Sequence, residues 1–367
     1  MALTNKAKLP LPLVIACEDR DFVSQGSDLS GSAVFQPTRL IALSKGSRRG
    51  EIEEDVTERI WALFGQAVHE ILRRSAVSGD PKVRAMVNAI DALATLVDLL
   101  AKDPEGHSRH HLLRELIYDA HEHLTVELIN TPQDPSPIRV FAEERWEREI
   151  LGWRVACRVD HLALDEELGA LTDYKTVAAY PIKEYLETGE PKPEWVAQVN
   201  VQHYLAPDAI RDEITRLGKL QIVALIRDWR LSEKRKDGEG YPPYQVHRVE
   251  LPMWGVEKTH AYLLERVALH QAAQAPGAPL PLCTVEERWE KPTKWAVVKT
   301  KKSLKNHETR EAAEQHATRL GYRVEIRPGE VTRCELYCPV RQICEQGQAA
   351  VQAMRTAIAA AVPAGEA

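Results

Sequence analysis

Two short runs near the middle of the chain, WRVACRVDHLAL over residues 153–164 and GALTDYKTV over 169–177, carry the strongest constraint on its fold. Both are strand-like, and the acidic stretch DEEL with Gly169 joins them as a turn joins a β-hairpin. Side chains alternate across a strand, so Asp173 and Lys175 emerge on one face, and the hairpin carries Asp160 of the first run toward them. Two carboxylates held together repel unless a cation sits between them, and hard oxygen donors suit Mg²⁺ or Mn²⁺. A lysine beside them supplies fixed positive charge for a developing oxyanion or for holding a water nucleophile. Together these parts make a hydrolytic phosphoryl-transfer site. An Asp-x-Lys pair is also a common surface ion pair, and a lone Asp is often a turn former, so further parts are needed.

One such part is His69. EEDVTERIWALFGQAVHEILRR, residues 53–74, has the 3.6-residue periodicity of an amphipathic helix, and His69 lies almost opposite the apolar stripe centred on Ile60 and Phe64. Gly65 lies one turn before it, where a missing side chain permits close approach. A neutral imidazole beside a carboxylate pair is a suitable additional metal ligand; alone it would be an ordinary surface histidine. PEWVAQVNVQHYLAPDAI reads as a helix carrying Gln198, Gln202 and Tyr204, which can aim amide and phenol groups at a phosphate or form a solvated face.

Helical patterns also occupy KVRAMVNAIDALATLVDLLAK and HLLRELIYDAHEHL; the stretch HSRHHLLRELIYDAHEH, with His107, His110, His111, His121 and His123, is a second candidate site that reads rather as a solvated face. Beyond the hairpin, KLQIVALIRDWRL and YQVHRVELP read as strands around the loop SEKRKDGEGYPP, and a helix runs from about Val256 to Ala273. This order predicts an α/β fold, a central mixed sheet flanked by helices. A linker, QAPGAPLPLC, leads to a strand–helix–strand unit (KWAVVKT, REAAEQHATRLG, YRVEIRPGE), a cysteine cluster and an alanine-rich helix. The expected organisation is a core with an N-terminal helical region over 1–275, an appended α+β unit over 276–330, and the cysteine cluster and last helix over 331–367. No phosphate-loop motif for an ATPase occurs.

A net charge of −6 does not mark the whole chain as a nucleic-acid binder, so local distribution matters. KPTKWAVVKTKKSLK, residues 291–305, carries six lysines and no acid around Trp295, a candidate contact to a DNA backbone or simply a solvated surface. No long apolar window or convincing signal peptide occurs, and a soluble, cytoplasmic, non-membrane protein is the expectation.

Of six cysteines, Cys334, Cys338 and Cys344 fall within eleven residues. In an intracellular chain such a cluster points to metal or redox chemistry before disulfides. Three thiolates can ligate an iron–sulfur cluster or zinc, and a closed site needs a fourth ligand. Cys157 fits a small buried hydrophobe on the hairpin.

GQAVHEIL with His69, RVDHLAL with Asp160, TDYK with Asp173 and Lys175, then QVNVQHYL, resemble in order and context the PD-(D/E)XK nuclease superfamily. The likeness is to its RecB-like branch with CRISPR-associated iron–sulfur exonucleases and related phage nucleases. The resemblance implies a restriction-endonuclease-like core in which His69, Asp160, Asp173 and the Tyr174 carbonyl bind Mg²⁺ or Mn²⁺ and Lys175 serves catalysis. It carries over Gln198, and Tyr204 with a departure: the branch has Gln-x-x-x-Tyr, whereas Gln202 stands four after Gln198 and Tyr204 two later. The iron–sulfur members pair a similar cysteine trio with one upstream of the histidine motif, a position that Cys17 matches. Cys283 is favoured as the fourth ligand of a [4Fe-4S] cluster, zinc being second, because it opens the segment that the trio closes.

The expected function is a metal-dependent deoxyribonuclease, an exonuclease at single-stranded or duplex DNA ends in recombination, replication or repair. It would act in the host cytoplasm if phage-encoded, with a recombination or helicase partner. Two alternatives are a non-catalytic DNA-binding subunit of a helicase–nuclease complex and a zinc or iron–sulfur interaction protein.

Overall fold

The computed structural model of the chain describes residues 2–18, 26–77, 139–164, 169–300 and 303–361. The two helical patterns between residues 82 and 124, with their five histidines, lie outside the described residues, as does the DEEL turn. The chain divides into two compact units: Met1–Arg20, Phe35–Arg59 and Leu264–Ala367 in one, Asp21–Val34 and Ile60–Leu263 in the other. Among the described residues no helix is long and apolar enough to cross a membrane.

The expected α/β architecture with a mixed central sheet is the one found. In the second unit, β1 (Arg139–Phe141), β4 (His161–Leu164), β5 (Gly169–Val177), β6 (Gly218–Ile226) and β7 (Val246–Leu251) form a five-stranded sheet in the order β7-β6-β5-β4-β1. Only the central β5–β6 pair is parallel. In β6, Leu220, Ile222, Ala224 and Ile226 are buried in strict alternation, the period of two that identifies a strand. Gly169 and Gly218 start the parallel pair side by side, and a Cβ on Gly218 would come within 2.1 Å of the Ile214 carbonyl oxygen. Only glycine fits there, where the preceding helix turns directly into the strand.

The run 153–164 is not one strand. β3 (Trp153–Val159) pairs with β2 (Glu144–Ile150) and with Leu29–Ser30 in a separate three-stranded sheet, whereas β4 pairs with β5. Asp160 stands at the bend between the two ladders rather than on the first strand of a continuous hairpin. Alternating polarity is the same on both sides of such a bend, so the sequence pattern hides it.

Helix α1 (Val56–Val77) forms as its periodicity requires, but its face is not the expected one. Trp61, Phe64 and Ile71 are exposed, while a Cβ on Gly65 would lie 3.4 Å from Thr176 Oγ1 of β5. The helix meets the sheet through its Gly65–His69 side, the side without bulky groups, and the Ile60–Phe64 stripe does not define its buried face. Beyond β5, α2 (Tyr180–Thr188) precedes α3 (Pro193–Leu205) and α4 (Asp208–Leu217). The predicted single helix after residue 193 is two helices, divided at Ala206–Pro207, where proline cannot continue a hydrogen-bonded turn. Helix α3 is buried nearly all round, as a helix without a polar face must be. Its buried Asn200 is satisfied: Nδ2 donates to the carbonyls of Val196 and Pro252, and Oδ1 accepts from Trp254 N. The predicted loop SEKRKDGEGYPP contains the short helix α5 (Leu231–Asp237).

Helix α6 (Val256–Gln274) matches its predicted span closely. In the first unit, β8 (Lys294–Val298), β9 (Ser303–His307) and β10 (Arg323–Arg327) form an antiparallel sheet in the order β9-β8-β10, packed on α7 (Arg310–Leu320) through Val297, Ala313 and Ala317. Strand β9 adds to the predicted strand–helix–strand pattern; its polar sequence SLKNH carries no apolar alternation to announce it. Helix α8 (Glu345–Ala361) is the alanine-rich helix.

Candidate active site

Extending the β4–β5 ladder, His161 opposite Thr172, by one residue sets Asp160 across from Asp173. Asp160 Oδ2 accepts the Tyr174 backbone N–H at 2.8 Å, which fixes the bend against the strand carrying the second acid. Asp173 is 1% exposed. Its Oδ1 accepts from Gln198 Nε2 at 2.7 Å and Gln202 Nε2 at 3.1 Å, both reaching down from α3. Its Oδ2 accepts no hydrogen bond among the described residues and lies 2.8 Å from Lys175 Nζ. The alternation of β5 thus does what it implies, and the two glutamines, one helical turn apart, point to one oxygen.

From α1, His69 Nδ1 lies 3.4 Å from Asp160 Oδ1 and 3.6 Å from Glu143 Oε1. Ligand atoms of His69, Glu143 and Asp160 all lie within 4.8 Å of one another, the one such group of three among the described residues. Asp173 stands outside this tight group, held by the lysine and the glutamines. Glu143 was not foreseen. It occupies the corner between β1 and β2 with φ of +56°, an uncommon backbone for a non-glycine residue. Arg158 Nη1 approaches its other oxygen at 3.8 Å. No local signal distinguishes Glu143 from the other acids of AEERWERE.

The electrostatics are those of a cation site. The contact with Asp160, and next that with Glu143, pushes the His69 pKa up to about 10 against the opposing effect of burial. Burial, reinforced by Asp173, raises Asp160, while His69 and the Tyr174 N–H pull it down. Negative charge is crowded, and in the metal-free protein a proton on His69 offsets it. Two carboxylates and an imidazole fit a divalent cation, with the Asp173–Lys175 pair on the adjoining strand.

The other expected residues sort clearly. Tyr204 turns elsewhere: its hydroxyl meets His260 Nδ1 at 2.6 Å and its ring lies beneath Arg148 and Arg211. In the lysine-rich segment, Lys291 pairs with Glu330 at 3.3 Å and Lys294 with Glu308 at 3.2 Å, and Lys299 sits 5.8 Å from the Tyr322 ring centroid. Cys157 is buried, and that burial pushes its thiol up to about 12, consistent with a packing role.

Cys283, Cys334, Cys338 and Cys344 line one pocket, together with Arg39 and Gly347, and Cys17 is not among its walls. All six cysteines are free thiols. Arg39, 8% exposed, donates from Nε to Cys344 Sγ at 3.3 Å and pairs with no carboxylate among the described residues. Gly347 N donates to the same sulfur at 3.4 Å. Gln346 clamps Cys283 by accepting its N–H at 2.8 Å and donating to its carbonyl at 2.9 Å. Burial, then Glu287 and the neighbouring cysteines, pushes Cys283 up to about 11, and burial raises Cys334 and Cys338 as well. The buried Arg39 guanidinium faces these sulfurs, with Glu287 in the same pocket, and thiolates bound to a metal centre would add counter-charge to it.

With this geometry in place, a family model described as the PD-(D/E)XK nuclease superfamily matches residues 42–345. The chain belongs to the PD-(D/E)XK nuclease superfamily. The match spans His69, Asp160, Asp173-Tyr174-Lys175, the two glutamines and all four pocket cysteines. Among solved structures, this PD-(D/E)XK chain is similar to the crystal structure of SSO0001, at 11% identity and a TM-score of 0.30, over 72% of this chain and 85% of that one. It is also similar to an alkaline exonuclease, LHK-Exo, from Laribacter hongkongensis, at 15% identity and a TM-score of 0.24, over 48% of this chain and 86% of that one. At these scores neither likeness bears on activity. No curated protein matches the chain by sequence.

Proposed function

We propose that this nuclease is a divalent-metal-dependent deoxyribonuclease of the RecB-like branch, a phage-type member that acts as an exonuclease at DNA ends. The observation that carries this reading is the convergence of His69, Glu143 and Asp160, with the Asp173–Lys175 pair on the adjoining strand. His69, Asp160, Asp173 and the Tyr174 carbonyl would hold Mg²⁺ or Mn²⁺, with Glu143 as a further ligand. When bound, the ion supplies charge for the scissile phosphate and lowers the pKa of its water. Lys175 neutralises charge developing on the phosphate oxygens or holds the attacking water. Gln198 and Gln202 fix the Asp173 carboxylate so that Oδ2 stays directed toward Lys175. The lysine-rich segment 291–305 contributes backbone contacts with those lysines not already paired. The contacts of Tyr204 with His260, Arg148 and Arg211 support a structural role for it.

The four cysteines would hold a [4Fe-4S] cluster as a structural fastening of the unit. All four cysteines line one pocket, which supports a shared metal centre, with zinc as the second choice. A cytoplasmic location suits a cluster of reduced thiols.

Digestion of end-labelled linear DNA with Mg²⁺, Mn²⁺ or EDTA, beside Asp173→Ala and Lys175→Ala proteins, tests the catalytic reading. Metal-dependent cleavage lost in both variants is the expected result; equal activity in all three proteins ends the assignment of catalysis to these residues. A covalently closed circle, resistant to a strict exonuclease, separates the two modes of cutting. Anaerobically purified protein is expected to be brown and to lose its visible absorption in Cys283→Ala, whereas a colourless zinc-loaded protein contradicts the cluster.

A further inference from the structure

Helix α1 carries a feature that the metal ligands do not use. Trp61 and Phe64 are 54% and 47% exposed and meet edge to face, their ring centroids 6.2 Å apart at 86°. The Arg227 guanidinium carbon lies 4.8 Å from the Trp61 ring centroid. The Arg227 backbone is tied down where the parallel strands β5 and β6 end, its N–H donating to the Val177 carbonyl at 2.9 Å. Among the described residues no carboxylate pairs with it; the adjacent Asp228 accepts the Ala179 N–H instead, at 2.6 Å. Tyr180, three residues beyond Val177, is a further exposed aromatic at this end of the strands. Single exposed apolar side chains are ordinary, but two touching rings beside a guanidinium with no acidic partner form a surface of defined chemistry. Aromatic faces stack on bases, and the cation answers a phosphate.

The location gives the pair a purpose. Trp61 is one turn before Gly65, where the helix crosses β5 at Thr176, and His69 is one turn after it. Trp61 therefore stands about 12 Å from His69 along the helix axis, a span of roughly three to four nucleotides of a stacked strand. Inside a duplex the base faces are already covered by their neighbours, so away from its ends only unpaired bases can use such rings.

We infer that Trp61, Phe64 and Arg227 form a stacking subsite for bases of single-stranded DNA, three to four nucleotides from the phosphate that is cut. The inference rests on the nuclease reading above, and its test is run without catalysis so that the two can fail separately. Fluorescence anisotropy with a labelled oligothymidylate in EDTA is measured for the full chain, Trp61→Ala, Trp61→Phe and Arg227→Ala. Trp61→Ala is expected to weaken binding about 5- to 150-fold, with Trp61→Phe restoring most of it. Arg227→Ala is expected to reduce the slope of log K against log salt by about 0.7. A single abasic position stepped along the strand should reproduce the Trp61→Ala loss at one register and add nothing further in that variant. Unchanged affinity in Trp61→Ala, with a circular dichroism melt matching the parent, overturns the subsite. So does an equal loss for blunt duplex, or a change of oligomeric state without a change in binding, which would assign the rings to a second copy of this chain. Absence of Mg²⁺-dependent cleavage in the parent protein would instead remove the nuclease reading and leave the binding result standing.

Discussion

At the scale of single residues, His69 is where charge and metal compete. Its folded pKa of about 10 exceeds the ordinary value of 6.5, so protonation favours the folded, metal-free protein. That contribution is full below about pH 6.5 and is lost as pH rises through about 10. Nuclear magnetic resonance of the imidazole in metal-free protein is expected to report this raised titration, and His69→Ala to abolish the associated slope in melting temperature. Metal must displace the proton, so Mn²⁺ affinity measured by calorimetry is expected to climb between pH 7 and 9. Gln202 makes a second test. Its Nε2 serves Asp173 while its buried Oε1 accepts no hydrogen bond among the described residues, so Gln202→Leu removes a hydrogen bond to a charged group and an unsatisfied atom together. Cleavage is expected to fall about 10- to 100-fold, from a hydrogen bond of roughly 1.5–3 kcal/mol, while the melting temperature moves little. A large drop in melting temperature at unchanged rate would contradict the positioning role. Of these residues, Asp173 and Lys175 were legible because strand alternation alone places them on one face. Glu143 was not, because a corner with positive φ and a contact to a helix some seventy residues earlier leave no local trace.

At the scale of elements, the strands and helices that position the site follow from period and punctuation, and the surprises fall where one pattern serves two geometries. The alternation of 153–164 continues unbroken through the bend at Asp160, so two strands read as one. Helix α1 has an apolar stripe, yet its packing face is set by Gly65, since close approach to β5 depends on what is missing from a residue. Gly218 is the sharpest element-level test. A methyl there meets the Ile214 carbonyl at 2.1 Å, so Gly218→Ala must push α4 away from the parallel pair. A loss of about 2 kcal/mol or more is expected in urea unfolding, and a neutral result would mean that the helix end relaxes freely.

At the scale of the whole molecule, the unit that holds the cysteines is assembled from three separate stretches of chain. A reading along the sequence groups neighbours into contiguous segments; closure between distant stretches is a tertiary fact with no periodicity of its own. The cysteine pocket depends on it, because Pro37, Arg39 and Leu40 from one stretch wall in sulfurs from another. A fragment of residues 264–367 lacks the Arg39 donor and these walls, and iron reconstitution is expected to load it poorly, as judged by visible absorption and iron content. Supplying the full chain should restore loading, and a fully coloured fragment would show that the last stretch suffices.

Asp160 stands between two ladders: seven matched pairs join β2 to β3 on one side of it, and four join β4 to β5 on the other. Sliding either ladder by one position turns that strand inside out. Mutational drift near this acid is thus policed twice, by quality control of misfolded chains and by loss of cutting. Descendants of this sequence should vary the rim of the cleft far more freely than the spacing on either side of that bend.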